Sequence, residues 1–126
     1  MSAGGRRYAG YTELSLDEIV VSADTVDGLF RAGLPEDVVK FCMAFVIFHE
    51  LKHFKDLARL GDVLELIEYR DRYTEDPVFR REVEDEANRF ALEVASRVAE
   101  RKGWRVPEEL RDPREVRWLI ERALFW

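Results

Sequence analysis

The sequence predicts an α+β domain, with a small N-terminal β-sheet or hairpin packed on a buried helix and a second long helix, and a further helix at the C-terminus. Three observations carry this expectation. A β-branched run, Ile19-Val20-Val21, stands early in the chain. Two long stretches behind it open on a proline and close on a glycine, the ends at which helices take those residues. Eight apolar residues in succession, Phe41 to Phe48, surround the first of these helices instead of striping it, which marks it as the buried centre.

Taken in order, residues 1–10 read as a flexible tail and 11–126 as a single domain, since 126 residues suffice for one modest core. TELSLDEIVVSA (12–23) reads as one or two strands, whose edge near Ile19 to Val21 would rim a cleft and pair with an extended peptide. Leu34-Pro35-Glu36-Asp37 opens the buried helix and Gly61 closes it. DVLELIEYR (62–70) suggests a short amphipathic helix, and DRYTED a polar break after it. Asp76-Pro77 starts the second long helix with a capping side chain and a proline at the first position, and that helix ends near Lys102-Gly103. Asp112-Pro113 repeats the device for a helix running to Trp126, on which Val116, Leu119, Ile120, Ala123 and Leu124 suit packing on the core.

Composition narrows the class of function. A net charge of -6 argues against nucleic acid or an anionic membrane surface as the main partner. No apolar run approaches the roughly 20 residues needed to span a bilayer, and the Arg pair of MSAGGRRYAG has no apolar stretch behind it, so a cytoplasmic protein without a secretory signal is expected. The single cysteine, Cys42, lies inside FCMAFVIF and reads as a buried small apolar residue. Charged residues make up 37% of the chain, Gln is absent and Asn88 is the sole Asn, a pattern expected of a thermophilic source.

The chemistry is concentrated in FHELKHF, residues 48 to 54, which holds both histidines of the chain. Random placement would set two histidines four apart with an acid behind the first in roughly 0.3% of arrangements, so chance is a poor account. Positions i and i+4 share a helix face, so the imidazoles of His49 and His53 can converge on one ion. Glu50 lies about 100° round the helix, where it would reach a metal-bound water instead of the metal.

Two imidazoles need a third protein ligand to make a catalytic zinc site, and no histidine remains. Asp56 is too far along the same helix, since positions 49, 53 and 56 span about 10 Å of axis; it is a supporting group at most. The ligand should come from EVEDEANRFALEVA on the second long helix. There Phe79, Val83, Ala87, Phe90, Val94 and Val98 form an expected core stripe, and Glu84 borders it more closely than Glu82 or Glu86, which with Glu93 face solvent. Ala91 and Ala95 on the Glu84 flank would let the two helices approach closely. Asn88, one turn beyond Glu84, can accept the free N–H of a metal-bound histidine; its bland alternative is a surface amide.

HELKH followed some thirty residues later by EDEANRFA resembles the gluzincin metallopeptidases, in which a glutamate opening an ExxxD or ExxxN signature on a second helix completes the zinc site. The form E-x-E-A-N-x-F-A is similar to the ImmA/IrrE-like peptidases, the ExxxD form to the Ste24/HtpX-like ones, and the small size to the archaeal minigluzincins. The resemblance implies a minimal zincin-like domain holding one zinc per chain on His49, His53 and Glu84, with Glu50 as general base, Asn88 orienting a histidine, and a peptide or protein substrate. It also implies an oxyanion stabiliser across the cleft, for which Tyr73, Tyr69 or an arginine are the candidates, and a latent enzyme whose C-terminal segment covers the cleft. Lys52 departs from the pattern, because a small glycine usually precedes the second histidine.

Two rivals come from other classes. One is a metal-stabilised regulatory or interaction domain of the same fold without turnover. The other is a di-iron bundle, since Glu50-Leu51-Lys52-His53 is also a carboxylate-x-x-His motif; that site needs two such motifs and the chain has one.

Overall fold

The computed structural model describes residues 10–13, 18–21 and 23–124, with side chains from Thr25 to Ala123. Strands β1 (Gly10–Glu13) and β2 (Glu18–Val21) precede helices α1 (Ala23–Arg31), α2 (Glu36–Ala58), α3 (Val63–Glu75) and α4 (Pro77–Lys102). A 3₁₀ turn (Glu108–Arg111) then leads into α5 (Pro113–Leu124).

The ends of the helices follow from local chemistry. Glu36 and Asp37 set negative charge on the first turn of α2, where the helix dipole favours it. Asp62 caps α3 by accepting from the Glu65 N–H at 2.9 Å, while the Glu65 carboxylate accepts from the Gly61 N–H at 2.6 Å, so two orphan donors are satisfied reciprocally. Asp76 accepts from the Val78 and Phe79 amides to cap α4, whose first position is Pro77. Gly103, at φ 70, ends that helix in the left-handed conformation that costs glycine least, and the Trp104 N–H closes on the Ala99 carbonyl at 2.9 Å.

The centre of the fold is the antiparallel pair α2 and α4. Ala87, Ala91, Ala95 and Ala99 of α4 are buried together with Phe41, Cys42, Phe45 and Val46 of α2, because the small side chains let the two backbones come close. At the far end of the pair, the Arg105 N–H donates to Asp37 Oδ2 at 2.9 Å and ties the chain leaving α4 to the first turn of α2. Helices α1 and α5 close this end through Thr25, Leu29, Val116, Ile120 and Ala123, all buried. Their backbones approach so closely at Gly28 that a Cβ there would stand 2.2 Å from the Ala123 carbonyl oxygen, so only glycine fits. Helix α3 packs on α4 at the opposite end and contributes no buried residue.

Four expectations are corrected. The class is all-α, not α+β: among the described residues the core lies on four of the five helices, α1, α2, α4 and α5, and on the 3₁₀ turn, and the β-branched run forms no sheet layer. Its contribution is one antiparallel ribbon of two four-residue strands, Gly10 opposite Val21 and Glu13 opposite Glu18, laid along α2. Two strands of that length cannot cover a core face, and a lone hairpin is marginal without helices behind it. The segment from Ala23 to Arg31, of which only Ala23 falls within an expected strand, is helix α1. DRYTED is not a break, since α3 runs on to Glu75. The buried face of α4 is centred on Ala87, Asn88, Ala91 and Ala95, while Phe79, Phe90, Val94 and Val98 of the expected stripe are only half-buried; the closest helix contact selects the small residues. Of the expected N-terminal tail, 1–10, residues 1–9 lie outside the described residues and Gly10 opens β1; residues 125–126, with Trp126, lie outside them too. No helix among the described residues is long and apolar enough to cross a membrane.

Candidate metal centre

His49 and His53 stand one turn apart on α2, and their rings meet edge to face with centroids 4.7 Å apart. On α4, the 100° step of the helix sets Glu84, Asn88, Ala91 and Ala95 within about 60° of one another. The alanines that admit α2 therefore also aim Glu84 and Asn88 at it. Glu84 stands at the middle of the contact face, not at its border as the expected stripe implied.

Three ligand-type atoms converge. His49 Nε2 lies 3.0 Å from Glu84 Oε2, His53 Nε2 lies 3.2 Å from the same oxygen, and the two Nε2 atoms are 3.0 Å apart. Tetrahedral zinc with bonds of about 2.0–2.1 Å sets its ligand atoms roughly 3.3 Å apart, so this triangle has the right size for three corners of such a site. The donor set, two imidazoles and one carboxylate, is one that zinc takes in catalytic centres. His49, His53 and Glu84 are the group that could hold a metal ion among the described residues. Their side chains are 16%, 17% and 26% exposed, so the triangle is sheltered yet reachable from solvent.

The neighbours orient these atoms. Asn88 is buried, and its Oδ1 lies 2.7 Å from His49 Nδ1. A carbonyl oxygen can only accept, so Nδ1 carries a proton, and it is in the neutral ring that Nε2 presents a lone pair to the cluster. The Tyr73 hydroxyl donates to Glu84 Oε1, leaving Oε2 to face both rings. Glu50 is buried on α2, and its charge is felt at His53. Asp56 is 2.6 Å from Lys52 Nζ and acts on His53 through charge, so Lys52 has a partner beside the site.

Electrostatics give the same picture. Burial alone would lower the His53 pKa, but the hydrogen bond and charge of Glu84, helped by Glu50 and Asp56, outweigh it and raise the value. Burial alone would raise the Glu84 pKa, but hydrogen bonds from both histidines, the His53 charge and the Tyr73 hydroxyl hold it far below the carboxylate range. The point between these groups favours positive charge, which suits a cation as well as a proton. Burial, then the hydrogen bond to Glu84 and its charge, push the Tyr73 phenol upward, so the hydroxyl stays a donor.

Of the residues expected from the sequence, the structure brings together His49, His53, Glu84, Glu50, Asn88 and Tyr73. Tyr69 is near enough for its pKa to be raised, by burial and then by the charges of Asp56, Glu84 and Glu86. Its ring stacks edge to face on Phe79 at 5.4 Å. Sequence reasoning missed Arg80, which donates from Nη1 to the backbone carbonyls of Tyr73 and Thr74 at 3.1 and 3.0 Å and so pins the end of α3. No periodic signal links Arg80 to Tyr73, because the contact runs round the turn between two helices. An open groove of about 770 Å³ lined by Phe41, Leu92, Trp104 and Leu110 includes none of the cluster residues. Helix α5 buries Val116, Ile120 and Ala123 and packs beside α1.

Compared with family models, with curated proteins and with solved structures, the chain finds no match.

Proposed function

We propose that the protein is a zinc-dependent metallopeptidase acting in the cytoplasm on peptide or protein substrates. The observation that supports this most is the convergence of His49 Nε2, His53 Nε2 and Glu84 Oε2 to within 3.2 Å of one another, with Glu50 buried next to His49. Zinc bound by these three side chains would supply a Lewis acid for the scissile carbonyl and a water made acidic near neutral pH.

The rest is work for the chain's own residues. Glu50 is the general base, taking a proton from the attacking water and passing it to the leaving amine. Asn88 accepts from His49 Nδ1 and holds that ring in the tautomer that presents Nε2. His49, His53 and Glu84, one on each corner of the triangle, are the three side chains that would hold the ion, the number that a catalytic zinc site takes from its protein.

Two measurements test the reading. Protein purified without chelator or added metal should contain about one zinc per chain by elemental analysis, and Glu50→Gln should keep the zinc while losing peptide hydrolysis. An unchanged rate in Glu50→Gln would refute the mechanism. Wild-type protein that binds one zinc yet cleaves no peptide in a diverse library would point instead to a metal-stabilised regulatory or interaction domain.

A further inference from the structure

The carboxylate of Glu84 has two oxygens, and the structure treats them differently. Oε2 faces both imidazoles, while Oε1 accepts the Tyr73 hydroxyl from α3. Tyr73 is itself held from behind, since the Arg80 guanidinium donates to its carbonyl and to that of Thr74. The Asp76 cap fixes the turn between α3 and α4 on the same side. Helix α3 buries no residue of its own, so these polar contacts, together with Tyr69 and Arg72 against the Phe79 ring, hold it on α4.

We propose that Tyr73 is a positioning residue for the metal site: by occupying Glu84 Oε1 it makes the carboxylate a one-oxygen ligand, which keeps the site four-coordinate with one position open. The inference rests on the zinc reading above. A carboxylate whose second oxygen is free can swing to bind through both, which would fill the position a water needs. The hydroxyl also takes up a lone pair that would otherwise be left half-desolvated beside the rings. This assigns the tyrosine to the carboxylate instead of to an oxyanion across the cleft, because its one proton is already donated.

The test compares Tyr73→Phe, Arg80→Ala and Tyr69→Phe with the wild type, each first checked for native helicity and melting. Zinc affinity is measured by competition with a chromophoric chelator, and coordination number by the visible absorption of the cobalt-substituted protein, strong for four ligands and weak for five. Tyr73→Phe should bind zinc about 10- to 100-fold more weakly and lose much of the cobalt band. Arg80→Ala should move both readouts the same way by a smaller factor, which keeps the test usable should Tyr73→Phe fold poorly. Tyr69→Phe removes a hydroxyl from the same helix that has no bond to Glu84, and should change neither.

Wild-type affinity and an unaltered cobalt spectrum in Tyr73→Phe would overturn the assignment while leaving the zinc reading intact. Equal losses in Tyr69→Phe would overturn it too, since the effect would then belong to the packing of α3. A wild-type chain that binds neither metal overturns the zinc reading itself, and this inference with it.

Discussion

The two ends of the α2–α4 pair are built on different principles. At one end Val38, Val39, Phe41, Cys42, Phe45 and Val46 of α2 are buried against Ala91, Ala95 and Ala99, and α1, α5 and the 3₁₀ turn close over them. At the other end the only buried residue of α2 beyond Val46 is Glu50, and α3 is held by the Tyr73, Arg80 and Asp76 contacts. Apolar area, the main favourable term in folding, is thus concentrated at the closed end, and polar convergence at the open one. The open end can carry lone pairs and a sheltered carboxylate because the closed end stabilises the fold. Substitutions at the two ends should therefore separate stability from metal binding.

The largest effect is expected at the closed end. Phe41 is 2% exposed, and Phe41→Ala should cost about 3–5 kcal/mol, a large share of the 5–15 kcal/mol typical of such domains. Urea unfolding would show it, and the fraction that stays folded should bind zinc as the wild type does. Lost zinc affinity in that folded fraction would mean that the two ends are coupled.

At the open end the expected changes fall on the ligand instead. Zinc at a thousand times its dissociation constant should stabilise the wild type by about 4 kcal/mol. Glu84→Ala should abolish most of that gain in a thermal melt, whereas Glu86→Ala, on an exposed position two residues on, should keep it. Equal losses would mean that the carboxylate at the triangle's corner is not the ligand.

The smallest effect concerns Cys42, fully buried at the closed end, whose thiol burial pushes up to about 12. Its folded pKa lies above the unfolded value, so the protonated thiol contributes fully below the unfolded pKa, and that contribution is lost as the pH rises towards 12. Relative to Cys42→Ala, the wild type should lose about 1.5–2 kcal/mol by pH 10. A pH-independent difference between the two would show that solvent reaches this end of the pair.

The open end was more readable in the sequence than the closed one. His49 and His53 share a face by spacing alone, and Glu84 was singled out from Glu82 and Glu86 by angle, although the expected stripe centre was wrong. The error came from weighting large apolar residues: Phe79, Phe90, Val94 and Val98 ring the flanks, while alanines hold the tightest contact. Helix α1 was missed because its Asp24, Asp27 and Gly28 offer little apolar periodicity; its contact with α5 at Gly28 depends on two segments far apart in the chain. The hairpin misled the class, because β-branched residues favour extended backbone locally but do not state whether further strands exist to make a sheet.

The sequence by itself determined the helix boundaries marked by Pro35, Asp62, Asp76-Pro77 and Gly103, and the pairing of two imidazoles on one helical turn. These depend on dihedral preferences and on spacings within about four residues, which any stretch carries with it. Only the tertiary structure decided that Ala91 and Ala95 set the approach of α4, that Glu84 turns one oxygen to the histidines, and that Tyr73 takes the other. Those depend on distances between helices to a fraction of an ångström, set by the packing of side chains distant in the sequence.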